Sequence, residues 1–197
     1  MSTRKWTMRA CAGLALGLGI GFGVADAGEG FGDRFGFGTA ATPADIARID
    51  IDVRPDGRGA PAGQGTVDEG MRVYNDKCAA CHGENLGGVK GTGAAPLVGG
   101  RGTLTSGKPK KTVESYWPYA SILFDYTKRA MPFNAPGTMT DNEVYAVVAY
   151  ILAKGNIIDK STVMNAKTLA AVKMPNRNGF IFHPGGGGHR PDVRNYR

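Results

Sequence analysis

The chain has 197 residues, 42% of them hydrophobic, and 24 Lys and Arg stand against 17 Asp and Glu for a net charge of +7. That length allows one domain with extensions. The basic residues are spread along the chain and form no stripe, which argues against a nucleic-acid surface.

The first element is a leader. Arg4, Lys5 and Arg9 precede an apolar stretch, Ala10 to Val24, and Ala25-Asp26-Ala27 is a small-x-small cleavage site. Residues 1–27 therefore read as a signal peptide cleaved after Ala27, and the protein as exported and periplasmic. The apolar run is shorter than the ~20 residues needed to cross a bilayer, so no permanent membrane span is expected. Cys11 leaves with the signal. Cleavage removes three basic residues and one acidic one, leaving 21 against 16 and a net +5. Such a field suits an acidic partner or an anionic substrate, and equally a plain solvated surface.

Residues 28–65 read as an extended N-terminal arm. Gly28 to Gly38 is rich in Gly and Phe without a period, Pro43 to Ile49 can form one short helix, and Asp50 to Thr66 is rich in Pro and Gly. The compact part is expected over 66–158. Thr66-Val67-Asp68-Glu69 is a capping box, Thr with Glu three residues on, and opens a helix with Val67, Met71 and Tyr74 on its apolar face.

That helix runs into Cys78-Ala79-Ala80-Cys81-His82. Cys-x-x-Cys-His is the attachment signature of a covalent c-type haem. Two thiols at this spacing reach the two vinyl groups of one haem, and the adjoining His falls under the iron. A bare Cys-x-x-Cys would also suit a redox dithiol or half a zinc site. His82 and the lack of a second Cys pair favour one haem c. A disulfide would close a strained loop and leave His82 unexplained.

Farther on, Tyr116, Ala120, Leu123, Phe124 and Thr127 show helical spacing, so a helix is expected over Tyr116 to Arg129. Pro118 is tolerated in its first turn if Ser115 is the cap. Thr140-Asp141-Asn142-Glu143 is a second capping box; it opens the almost wholly apolar Val144 to Lys154, which stops at Gly155. No stretch alternates as a strand does, and the fold class expected is all-α. Residues 159–197 read as a C-terminal extension ending in the Gly185–Gly188 run and a basic tail.

The sixth iron ligand has several candidates. Met131 in Ala130-Met131-Pro132 follows the wrapping helix, and the proline forces an extended backbone there. Met174-Pro175 repeats the pair but lies beyond the expected core. An open or His-ligated iron is the remaining choice, which would make the protein peroxidase-like or a small-ligand binder. Met139 reads as packing, and His183 and His189 as solvated. Trp117, with Tyr116, Tyr119, Phe124 and Phe133, is placed to shield the ring. Arg101 is a candidate for a haem propionate.

The haem motif, the capped C-terminal helix and the Met-Pro loop together resemble a class I cytochrome c, a helical fold around one covalent haem. The resemblance implies that the first and last helices cross at Gly70, Tyr74 and Tyr150. It also implies that Pro96 supplies a carbonyl to the His82 ring N–H. Four runs, ATPADIARIDIDVRPDGRGAPAGQGT, PLVGGRGTL, SYWPYASILFDYTKRAMPFNAP and VKMPNRNGF, are similar to the cytochrome subunit of sulfane dehydrogenase in the thiosulfate-oxidising system. That likeness implies a molybdenum-cofactor partner of the sulfite oxidase family and a downstream cytochrome or oxidase. It implies an electron-transfer subunit with no substrate site of its own. The best-known members carry two haem domains and this chain one, which leaves sulfite and sulfane sulfur both open as the partner's substrate. A general periplasmic carrier serving another dehydrogenase is the alternative.

Overall fold

Residues 38–180 are described in a computed structural model of the chain. The chain divides into Met1–Thr42 and a compact unit, Pro43–Arg197, which carries every element found among the described residues. The leader, most of Gly28 to Gly38, and His183 and His189 lie outside the described residues.

The order is α1 (Pro43–Ile49), β1 (Gln64–Thr66), α2 (Val67–Lys77), α3 (Ala79–His82), α4 (Ala120–Ala130), α5 (Asp141–Lys154), β2 (Val163–Asn165) and α6 (Ala166–Ala171). α5 is the centre. Every residue from Val144 to Ala153 is buried, because α2, α4, β1 and β2 all pack on it. A helix apolar on all sides has no other stable place in a small domain. Leu152, Val147 and Val148 are fully enclosed, and each stabilises the fold by about 1.5–3 kcal/mol.

α2 crosses α5 where Gly70 meets Ala146 and Tyr150, and the Tyr74 and Tyr150 rings lie 5.2 Å apart. Gly70, not Met71, completes the buried face of α2 with Val67 and Tyr74; Met71 is 43% exposed. α4 packs Phe124 against Tyr145, centroids 4.5 Å apart.

Both capping boxes form. The Thr140 hydroxyl accepts the Glu143 N–H, and the Glu143 carboxylate accepts the Thr140 N–H at 2.8 Å. The Thr140 N–H bond, with Lys77 3.7 Å away, holds the Glu143 carboxyl below the usual glutamate range. A Thr140→Ala variant is expected to lose about 1 kcal/mol in thermal or denaturant unfolding. The acid limb supplies a second check. A carboxyl depressed in the folded state stabilises above its unfolded pKa, and that stability is lost as pH falls through the folded value. Glu143→Gln should therefore show a shallower loss of stability on acidification than the wild type.

Several expectations are corrected. Helix α4 begins at Ala120, not Tyr116, and Ser115 caps no helix. Pro118 keeps Trp117 out of the helical region, and Ser115 is used in a turn, its hydroxyl accepting from Thr112 N at 3.0 Å and donating to Lys110 O at 2.6 Å. The helical class holds, with two short strands among the described residues: Gln64–Thr66 pairs antiparallel with Val163–Asn165. Three residues are too few to show alternation.

The C-terminal segment is no outlying tail through Met174. Met164, Leu169, Val172 and Met174 are buried in the same core. The arm, likewise, is pinned to its own domain beyond Ile51. Val53 is buried and its N–H donates to Asp125 at 2.9 Å, and the Tyr145 hydroxyl donates to Pro61 O at 2.8 Å. Ile46, Ile49 and Ile51 of the arm stay exposed.

Candidate haem site

The cysteine pair sits where α2 ends. Cys78 caps α2 and precedes the single turn α3, in which the N–H groups of Cys81 and His82 both donate to Cys78 O at 3.1 and 2.9 Å. Gly83 stops this turn with φ 76° and ψ 153°, a region open essentially to glycine. Its carbonyl accepts the buried Tyr74 hydroxyl at 2.7 Å, which ties the end of the turn back to α2. Burial raises the Tyr74 phenol well above its ordinary value.

No disulfide joins Cys78 to Cys81. Burial pushes the Cys78 thiol up to about 11. Among the described residues no three His, Cys, Asp or Glu side chains gather to hold a metal ion.

His82 Nδ1 donates to Ala95 O at 2.9 Å. A carbonyl only accepts, so the proton sits on Nδ1 and the Nε2 lone pair is left for a metal. The expected carbonyl was that of Pro96; it belongs to Ala95. Pro96 acts one bond away, since its locked φ and the restriction it places on Ala95 set the direction of that carbonyl.

Met131 is the C-cap of α4, extended at φ −123° and ψ 148°, with its N–H still bonded to Thr127 O. It is half-buried, as are Cys78, Ala79, Leu97, Val98 and Trp117, and all pack on one core cluster. Half-buried apolar groups of this kind are compatible with receiving a large flat ring. Met174 lies inside the core at 3% exposure, not outside it, and Met139 is enclosed at 2%. Both thioethers are taken up by packing. The cysteine pair, the oriented imidazole and the apolar surface fit a haem c.

The other expected residues divide. Trp117 meets Tyr126 edge-on, centroids 6.0 Å apart. Phe124 is core, Tyr116 contacts Phe180 and Tyr119 lies under Arg177, while Phe133 is 86% exposed, so the five aromatics form no single shield. Arg101 is committed elsewhere. Its Nε pairs with Glu114 at 2.7 Å, and its guanidinium donates to the carbonyls of Gly155 and Asn156. A propionate would have to compete with Glu114 for it.

Sequence reasoning missed Ala95, Thr92 and Glu114. Thr92 shares its hydroxyl proton between Cys81 O at 3.1 Å and Val89 O at 2.8 Å. A backbone acceptor leaves no side-chain signal, and a lone Thr or Glu in a loop has none that distinguishes it.

A capped helix ending in Cys-x-x-Cys-His, crossed by a buried C-terminal helix with a Met-Pro loop between, defines a class I c-type cytochrome. The family model for cytochrome c matches residues 67–154. Among solved structures, a chain in the crystal structure of the sulfane dehydrogenase SoxCD from Paracoccus pantotrophus is similar at 34% identity. The match has a TM-score of 0.69 and covers 82% of this chain and 74% of that one. Comparison with curated proteins returned no match. The chain belongs to the cytochrome c family, electron-transfer proteins with covalently bound haem c. Among the described residues no helix is long and apolar enough to cross a membrane.

Proposed function

We propose that this protein is the periplasmic, single-haem electron acceptor of a molybdenum-cofactor dehydrogenase of the sulfite oxidase family. The dehydrogenase oxidises sulfite or sulfane sulfur, and the cytochrome hands its electrons to a downstream cytochrome or oxidase. The observation that carries this reading is the reach of the likeness to the sulfane dehydrogenase chain. Eighty-two per cent of 197 residues is about 162, far beyond the family model's 67–154. The arm, the C-terminal segment or both therefore share it, and a minimal carrier needs neither.

Haem c, when bound, supplies a one-electron ferric/ferrous couple. The chain's residues do the rest. Cys78 and Cys81 would hold the ring covalently. His82 would ligate iron through Nε2 while Ala95 O keeps its proton on Nδ1. Met131 would supply a thioether ligand, which raises the potential over that of two nitrogen ligands. Trp117 would pack against the ring. Export rests on Arg4, Lys5, Arg9 and the run to Ala27, as the sequence reads.

Stopped-flow reduction by the purified molybdenum subunit from the same genome tests the reading. With sulfite or thiosulfate-derived sulfane present, reduction is expected to be fast and saturable. One haem stores one electron, so a two-electron oxidation should reduce two cytochromes. Reduction no faster than by free sulfite would overturn the assignment.

The ligand assignment has its own test. Met131→Ala should abolish the weak near-red absorption band of the ferric methionine–iron bond and lower the reduction potential. Met174→Ala should keep the band and lose about 2–5 kcal/mol of stability, because it empties a core position. Loss of the band in the Met174 variant alone would reverse the assignment.

A further inference from the structure

The carbonyl that meets His82 belongs to a loop gripped from outside the haem motif. Pro96 locks the chain just after Ala95. Leu97 is then bonded on both sides: its N–H donates to Leu86 O at 2.8 Å, and its carbonyl accepts from Glu114 N at 3.3 Å. Leu86 holds a left-handed φ of 58° although it is fully buried, an unusual conformation for a bulky residue that its packing must maintain. Two residues on, Gly99 N–H donates to Glu114 Oε2 at 2.5 Å, and Gly99 O accepts the Thr112 hydroxyl at 2.7 Å. Glu114 Oε1 takes Arg101 Nε at 2.7 Å, and Arg101 reaches on to the end of α5.

Glu114 thus grips the 97–101 loop three times: by its own N–H, by one carboxylate oxygen, and through Arg101 by the other. Its side chain is 13% exposed, so its bond to Gly99 is little screened by water, while the pair with the 45% exposed Arg101 is screened more; removing Glu114 leaves the Gly99 N–H without its acceptor. The Glu114 stem also lies against Gly155, where an added Cβ would come within 3.3 Å of Glu114 Cγ. Loop, carboxylate and the end of α5 form one closed unit.

We propose that Glu114 is a positioning residue for His82. By fixing Leu97 and Gly99 it holds the Ala95 carbonyl at hydrogen-bond distance from Nδ1, and so sets the strength of the bond that tunes the imidazole as a ligand. This rests on the reading of His82 as an iron ligand. A loosened grip lets the Ala95 carbonyl drift, weakens the bond on Nδ1, makes the imidazole a poorer donor to iron and raises the reduction potential.

The test uses the holoprotein with ¹⁵N-labelled histidine. In Glu114→Gln, which keeps the size of the side chain but loses its charge, the His82 Nδ1 proton should exchange with solvent on the order of tenfold faster. The reduction potential should rise. Arg101→Gln should move both readouts in the same direction by less. It decides the question if Glu114→Gln does not take up haem. A lower melting temperature with unchanged proton exchange and unchanged potential would make Glu114 a structural staple only, and the proposal would fall. The wild-type spectrum separates the two readings. A His82 ring without iron-bound shifts would sink the ligand assignment itself, whatever Glu114 does.

Discussion

Gly70→Ala is expected to be among the most destabilising single changes in this protein. In an ordinary helix interior the same change adds about 1 kcal/mol of stability, since alanine is the better helix former. Here the added Cβ would fall inside the Ala146 carbonyl and come within 2.8 Å of Tyr150 Cβ. Both obstacles belong to α5, whose facing residues are wholly enclosed, so neither can move aside cheaply. Relief requires α2 and α5 to separate, which uncovers Tyr74 and Tyr150 together. The net loss should be about 3 kcal/mol or more, at the upper end of overpacking effects. Denaturant unfolding of the holoprotein measures it. Gly87→Ala is the control, with no atom within 4 Å of the added Cβ, and should stay within about 0.5 kcal/mol of wild type. A Gly70→Ala protein as stable as its control would mean that the helices do not cross at this residue.

Replacing Cys78 and Cys81 together by alanine is expected to abolish covalent haem altogether. A denaturing gel stained for haem should show the wild-type band and none for the variant. The purified variant should unfold far below the wild type. Cys78, Leu97, Trp117 and Met131 are each half-buried against the one core, so loss of an attached ring would leave that core less covered. Each single variant should retain some haem through the remaining thioether. A double variant that is free of haem yet folded and as stable as the wild type would show that the ring is not needed to complete the core. Retention of stainable haem after denaturation would show attachment elsewhere.

The two experiments probe opposite kinds of information in the chain. The attachment motif, both capping boxes and the buried character of Val144 to Ala153 are local: each is complete within a few consecutive residues. Local hydrogen bonds and side-chain periods are properties of a short segment, so they can be read without knowing what the segment touches. The same holds for Met131, whose extended backbone follows from the proline after it.

Only the tertiary structure decided the rest. Strands β1 and β2 pair residues about a hundred positions apart, each too short to carry a period. The six-residue α6 and the buried Met174 looked peripheral, because a segment that short gives no stripe and the burial of α6 depends on a surface made by α4 and β2. Arg101 had a free choice of anion until Glu114 and the end of α5 were brought beside it. The acceptor for His82 is a backbone oxygen, identical in every residue, and nothing but the path of the loop selects Ala95 for the task. Residue identity set what each segment could become. Which polar group met which partner was settled by packing, since burial is what makes an unmatched donor or acceptor costly.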